Sequence, residues 1–135
     1  MRVAFGSDEW TPLTDAVRVD LEVRGHVVVA APDGEWAEVG HAVGELVALR
    51  AADTGVLFCW TGTGASIAAN KVPGVRAALC TDAATAAGAR KWNDANVLVM
   101  GLQGLIKPGD VPGIMDAWFT TDFDENESAN VARLE

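Results

Sequence analysis

Cys59, followed by Trp60 and by Thr61-Gly62-Thr63-Gly64, is the stretch best suited to chemistry. A thiolate close to a helix N-terminus is stabilised and can act as a base. Glycines let the backbone turn sharply and let a ligand approach main-chain N–H groups, which can then hold negative charge as it develops. The run Val56-Leu57-Phe58 before the cysteine is of the kind buried inside a parallel sheet, and a helix is expected just past the turn. Cys59 then lies at the C-terminal edge of a strand, where open α/β sheets hold their ligands. The same pattern is also that of a purely structural strand, turn and helix with a buried cysteine.

The elements that would position this stretch can be read in order. Residues 2–6 predict a first strand, with Gly6-Ser7-Asp8-Glu9-Trp10 as the turn after it. Thr11 and Pro12 are suited to the cap and first position of a helix, whose apolar stripe Leu13, Val17 and Leu21 runs to about Arg24 before Gly25 stops it. His26–Ala30 read as a second strand, with His26 structural. Ala31–Trp36 is a turn-rich loop, and a helix is expected from Ala37 to Ala52 with Val39, Val43, Leu46, Val47 and Leu49 inward and His41 toward solvent. After the central strand and a helix over Ala65–Asn70 come a strand at Arg76–Cys80, a helix capped by Asp82 and running through Trp92, and a turn at Asn93-Asp94. A strand at Asn96–Met100, a loop over 101–109 and a helix over Asp110–Phe119 follow, the last with Val111, Ile114, Met115 and Trp118 inward. Residues 122–126 break the pattern, and Glu127–Glu135 predicts a short tail helix. Strands alternating with helices indicate a doubly wound parallel sheet with helices on both faces. Its C-terminal rim would collect Gly6–Trp10, Ala31–Trp36, Cys59–Gly64, Thr81-Asp82 and Gly101.

The 135 residues fit one domain spanning 1–135, with no run approaching the length of a membrane span and no signal-peptide pattern, which points to the cytoplasm. Cys59 and Cys80 are expected as free thiols, and no Cys/His spacing suggests a metal; no cofactor is expected. A net charge of −9 with only three lysines argues against nucleic acid and anionic membrane surfaces as partners.

The segment Cys59-x-Thr61-Gly62-x-Gly64-x-Ser66-Ile67-Ala68-Ala69-Asn70-Lys71-Val72-Pro73-Gly74-x-Arg76-Ala77-Ala78-Leu79-Cys80 resembles the type B ribose-5-phosphate isomerases and the related galactose-6-phosphate isomerase subunits. Gly6-Ser7-Asp8, Asn93-Asp94-Ala95-Asn96-Val97-Leu98 and Asp116-Ala117-Trp118 extend the resemblance nearly end to end. It implies a Rossmann-like three-layer αβα sandwich with a five-stranded parallel sheet, forming a homodimer (with a homotetramer as a further assembly) whose sites lie at the interface. It also implies aldose–ketose chemistry through an enediolate, with Cys59 as the base, Asp8 on substrate hydroxyls and Asn93 reaching in from the partner subunit.

The departures from that family pattern cluster at the site. Glu9 and Trp10 stand where the family has a His after the Asp and the residue beyond it. Glu35-Trp36-Ala37 stands for Asp-Tyr-Pro, Trp60 for a Gly, and Trp92 for the ring-opening His. Near the C-terminus Asn126–Val131, with Glu127, stands where the family's phosphate-gripping arginines lie, and only Arg133 remains nearby. A phosphate dianion calls for Arg or Lys, whereas tryptophan supplies flat apolar walls for sugars, aromatic rings or cations. The expected activity is therefore a proton-shift isomerisation of a small, non-phosphorylated, partly apolar substrate. Its catalytic candidates are Cys59, Asp8 and Glu9, and its binding candidates are Trp10, Trp36, Trp60, Thr61, Gly62, Thr63, Gly64, Trp92 and Asn93. The alternatives are a non-catalytic ligand-binding or assembly module with a Trp-lined pocket, and a genuine aldose–ketose sugar-phosphate isomerase.

Overall fold

The computed structural model describes residues 1–135. Strands β1 (Arg2–Ser7), β2 (Val27–Ala30), β3 (Thr54–Cys59), β4 (Ala77–Leu79) and β5 (Val97–Gly101) form one parallel sheet in the order β2-β1-β3-β5-β4. Helices α1 (Pro12–Val23), α2 (Trp36–Ala48), α3 (Thr63–Asn70), α4 (Ala83–Asn93), α5 (Val111–Thr120) and α6 (Ser128–Ala132) complete the chain, with 3₁₀ turns at Pro108–Asp110 and Glu125–Glu127. This is the three-layer α/β sandwich that the alternating pattern implies.

Successive strand residues point to opposite faces, so the sheet feeds two cores. Phe5, Val56, Phe58, Leu98 and Met100 pack with Val17 and Leu21 of α1, Ala86 of α4, and Ile114 and Met115 of α5. Ala4, Leu57, Cys59, Val97 and Val99 pack with Val39 and Val43 of α2 and Ala65 and Ala69 of α3. Because β3 is covered on both sides, all six of its residues are buried, and its sequence is continuously apolar after Thr54-Gly55. Trp118 is 3% exposed, and its indole N–H donates to Thr54 Oγ1 at 3.2 Å.

Helix starts follow local chemistry. The Thr11 hydroxyl accepts the Thr14 N–H with Pro12 at the first position, and the Asp82 carboxylate accepts the Thr85 N–H at 2.7 Å. The Thr85 N–H, and after it the Thr85 hydroxyl, hold Asp82 below the usual carboxylate range.

Several boundaries differ from the sequence reading. Helix α2 begins at Trp36 and ends at Ala48, four residues short of Ala52. Arg50 takes a left-handed conformation (φ 60°), and the Ala52 N–H turns back to the Leu46 carbonyl at 3.0 Å. Leu49, expected inward, lies past the last turn and is 80% exposed. Helix α3 begins two residues early, because Gly62 (φ 79°) serves as its cap. The edge strands are shorter than expected: β2 starts at Val27 and not His26, and β4 covers Ala77–Leu79 and not Arg76–Cys80. The flanking Arg76 carbonyl and Cys80 N–H still bond to β5 and the residue before it. β1 extends to Ser7, β5 runs from Val97 to Gly101, and α5 from Val111 to Thr120. Asn93, read as turn, is the last residue of α4, and Asp94 makes the left-handed cap. The tail helix is only Ser128–Ala132.

His26 is structural, as expected. Its ring stacks on Phe119 at 4.3 Å, and Nδ1 is 3.1 Å from the N-terminal amine. Burial, then the N-terminal charge and Arg24, hold its pKa below the ordinary 6.5, against a smaller opposing pull from Asp20. The unfolded chain therefore takes up this proton more readily. The contribution of neutral His26 to stability is present above the unfolded pKa and is lost as pH falls through the lower folded value. Urea midpoints measured from about pH 7.5 to about pH 5.5 should fall more steeply for the wild type than for His26→Gln.

The chain leaves β1 first to β2 on one side and then to β3 on the other. Helices α1 and α2 thus cover opposite faces, and the strand order reverses between β1 and β3, the place where open α/β sheets hold their ligands. That is where Asp8 and Cys59 lie.

Candidate active site

Cys59 is the last residue of β3, 5% exposed, in the core layer of α2 and α3. On one side it pairs with Gly101 of β5. On the other, the β1–β3 register ends at Ser7 opposite Phe58, so Asp8 follows beside Cys59 about one strand spacing (~5 Å) away. Ser7, itself buried, shapes this corner: its hydroxyl donates to the Glu9 carbonyl and accepts the Glu9 N–H. Asp8 and Glu9 stay exposed at the rim.

The turn after Cys59 is held from below. A Cβ on Gly62 would lie 2.4 Å from Leu79 Cδ1 and 3.3 Å from the Gly101 nitrogen, so only glycine satisfies both the left-handed backbone and the contact. The Thr61 and Thr63 hydroxyls share a hydrogen bond of 2.7 Å. No side chain caps α3, and its first-turn amides, from Thr63 onward, point to the rim beside Cys59.

The expected wall residues separate into four places. Trp36, in the first turn of α2, lies directly over Gly64, where a Cβ would come 2.7 Å from its ring, and so it joins the Cys59 side of the sheet. Trp60 is 60% exposed at the rim, and its carbonyl accepts the N–H groups of Leu102 and Gln103. Trp10 stacks on Phe5 at 6.1 Å, and Phe5 belongs to the α1–α5 layer, so Trp10 borders the rim from the other face. Trp92 and Asn93 are not brought to Cys59 within one chain. Helix α4 returns from the C-terminal to the N-terminal edge of the sheet, and these two residues end it, with the Trp92 ring folded over Gly88. Asn93 borders a cavity with Asn70, Ala77 and Ala78 along edge strand β4.

Sequence reasoning missed Leu79, which fills the space under Gly62, and Gln103, whose side-chain amide lies against Gly101 beside the Thr61 carbonyl. Gly101 at the end of β5 was the available signal, since a glycine at a strand end marks a place where another group comes close.

The rim is acidic. Its loops carry Asp8, Glu9, Asp33, Glu35 and Asp82, with Lys107 as the lone cation at the far end of the 102–107 loop. Nowhere do three His, Cys, Asp or Glu side chains gather as a metal would need. Cys80 is a second free cysteine in the other core layer, and burial pushes its thiol pKa up to about 11.

Known proteins agree with this architecture along the whole chain. The family model described as Ribose/Galactose Isomerase matches residues 3–135. The chain is 42% identical over 131 residues to the putative sugar phosphate isomerase YwlF of Bacillus subtilis, covering 91% of this chain and 87% of that one. It is 37% identical over 136 residues to the D-erythrulose-4-phosphate isomerase of Pectobacterium atrosepticum, covering 96% and 89%. Among solved structures, Clostridium thermocellum ribose-5-phosphate isomerase B superposes with a TM-score of 0.92 at 33% identity, covering 99% of this chain and 95% of that one. A cysteine between two strand ends, an open helix N-terminus above it and this end-to-end likeness lead to one conclusion: the chain belongs to the ribose/galactose isomerase family of sugar-phosphate isomerases.

Proposed function

We propose that this protein is a proton-shift isomerase that works through an enediolate or enolate on a small hydroxycarbonyl substrate without a phosphate group. The observation that carries the reading is Cys59, set between Asp8 and Gly101 beneath the uncapped start of α3. The Cys59 thiolate takes the proton from the carbon next to a carbonyl. The C–H electron pair becomes the C=C bond of the enediolate and the carbonyl pair moves onto its oxygen, where the turn amides of Thr61–Gly64 hold it; the proton of the adjacent hydroxyl passes to that oxygen as the new carbonyl forms, and Cys59 returns its proton to the former carbonyl carbon. Asp8 and Glu9 hold substrate hydroxyls or relay the second proton, and Trp36 and Trp60 form the walls.

The charges speak against a phosphate. Arg2, Arg24, Arg76 and Arg90 are ion-paired away from the rim, and of the other guanidiniums only Arg18, over the Phe5 ring on which Trp10 stacks, comes near it. A dianion beside Cys59 would meet mainly the carboxylates of the rim loops. Trp92 and Asn93, at the opposite sheet edge, can meet Cys59 only from another copy, which supports a homodimer with the site at the interface. One sheet drawing on nearly the whole chain supports a single domain, and two free cysteines support a reducing, cytoplasmic setting. No helix is long and apolar enough to cross a membrane.

The relatives' names favour a second reading, a sugar-phosphate isomerase proper. Incubation in deuterated water separates the two. Free tetroses, pentoses and aryl-substituted hydroxyketones should gain deuterium next to the carbonyl, and ribose 5-phosphate should not. Exchange of ribose 5-phosphate alone would replace the first reading by the second. Exchange of none, with ligand still quenching tryptophan fluorescence, would identify a binding module.

A further inference from the structure

At the edge of the sheet opposite Cys59, the start of β1, the end of α2 and the loops before β3, β4 and β5 border an open cavity of about 510 Å³. Arg2, Arg50 and Arg76 line it, with Asp53 as its one carboxylate. Asp53 pairs with Arg2, and Asp94 and Glu135 pair with Arg76, so Arg50 is the one guanidinium of the three without a carboxylate partner.

The hydrogen bonds already made define what is left over. Asp53 accepts the Arg2 backbone N–H at 2.7 Å and an Arg2 guanidinium N–H at 3.3 Å. Arg76 gives Nε to the Asp94 carbonyl, one terminal nitrogen to the Asp94 carboxylate and the other to Glu135. Asn96 is satisfied by the Arg76 N–H and the Gly74 carbonyl, so it forms wall and not ligand donor. Arg50 has neither a side-chain hydrogen bond nor an ion pair. Each guanidinium carries five donors, so Arg50 retains all of its own and Arg2 most of its own.

Arg50 is also in the wrong backbone for an arginine. It stands past the end of α2 at φ 60°, where helices ordinarily use glycine. The other positive φ angles of the chain fall on glycines, except at Asp94, whose side chain is bound by Arg76 and Arg90. A cation there suits the C-terminal end of the α2 dipole, and no hydrogen bond or ion pair within the chain uses its guanidinium, which is left free to meet a ligand in the cavity.

We propose that this cavity is a second binding site, distinct from the Cys59 rim, for a small metabolite bearing a phosphate or carboxylate group gripped by the guanidinium of Arg50 with help from Arg2. Guanidinium forks match the paired oxygens of both groups, and the volume leaves room for the body of a metabolite as well as the anion.

The test is a titration of the full chain at low ionic strength with inorganic phosphate and, separately, succinate, followed by amide NMR shifts. Wild type should show saturable shifts at residues 50–53 and 74–76 with at least one probe, and Arg50→Gly should weaken that binding about tenfold or more. Glycine relieves the backbone at residue 50, so that variant stays folded, and Arg50→Lys should fall between the two. Saturation by phosphate only assigns a phosphate group, and by succinate only a carboxylate. Absence of saturable binding with both probes, shifts confined to Thr61–Gly64, or undiminished binding in Arg50→Gly would each overturn the proposal.

Discussion

Cys59→Ala should lower deuterium incorporation into any substrate the wild type exchanges by about 10³-fold, within the range that a positioned acid–base group supplies. The backbone should be undisturbed. Residue 59 is buried in the α2–α3 core layer, and alanine removes one sulfur atom while keeping the apolar character of the position. The loss should appear in turnover more than in ligand affinity, because Asp8, Trp36 and the turn amides remain to hold the substrate. Alkylation gives a second readout. Iodoacetamide near neutral pH should modify Cys59 ahead of Cys80, whose buried thiol has a pKa of about 11 and stays protonated there. Substrate should protect Cys59. If Cys59→Ala turns over at the wild-type rate, the base is a rim carboxylate, Asp8 or Glu9, and the thiol assignment fails.

Gly40→Val should cost about 3 kcal/mol or more in stability, the high end for overpacking, because the obstruction is backbone. A Cβ at residue 40 would lie 2.7 Å from the Ala65 carbonyl oxygen and 2.9 Å from Ala68 Cβ. One turn on, a Cβ at residue 44 would lie 3.0 Å from Val72 Cγ2 and 3.2 Å from the Ala69 carbonyl oxygen. These two glycines let α2 seat directly on α3. A side chain at residue 40 must push α3 outward, and α3 carries the amides beside Cys59. Even Gly40→Ala should destabilise, although alanine is the better helix former by up to about 1 kcal/mol. Gly113→Ala in α5, where nothing lies within 4 Å of the added Cβ, is the matched control and should be neutral or slightly stabilising. Denaturant midpoints for the three variants give the comparison, and a Gly40→Val midpoint equal to wild type would refute the close-packing account.

Much of the fold was legible because its signals are local. Apolar runs such as Val56-Leu57-Phe58, caps such as Thr11-Pro12 and Asp82, and breaks such as Gly25 each reflect chemistry within a few residues. The differences have two causes, one local and one distant. Leu49 fits the helical stripe of α2 by spacing, but the helix ends at Ala48 because the chain turns at Arg50, and arginine carries no sequence signal for a left-handed turn. The edge strands β2 and β4 were drawn too long, since the hydrogen-bonded partners that define their ends come from distant parts of the chain.

The sequence alone determined the layer architecture, the cysteine and glycine turn at the end of β3, and the family, since these rest on periodicity and on a contiguous motif. Tertiary structure decided the rest. The strand order β2-β1-β3-β5-β4 sets Asp8 and Gly101 on either side of Cys59, sends Trp10 to one face and Trp36 to the other, and carries Trp92 and Asn93 to the far edge. The physical reason is that a parallel sheet joins strands far apart in sequence through crossover helices. Which strand ends become neighbours depends on the side to which each crossover turns, and no run of adjacent residues encodes that.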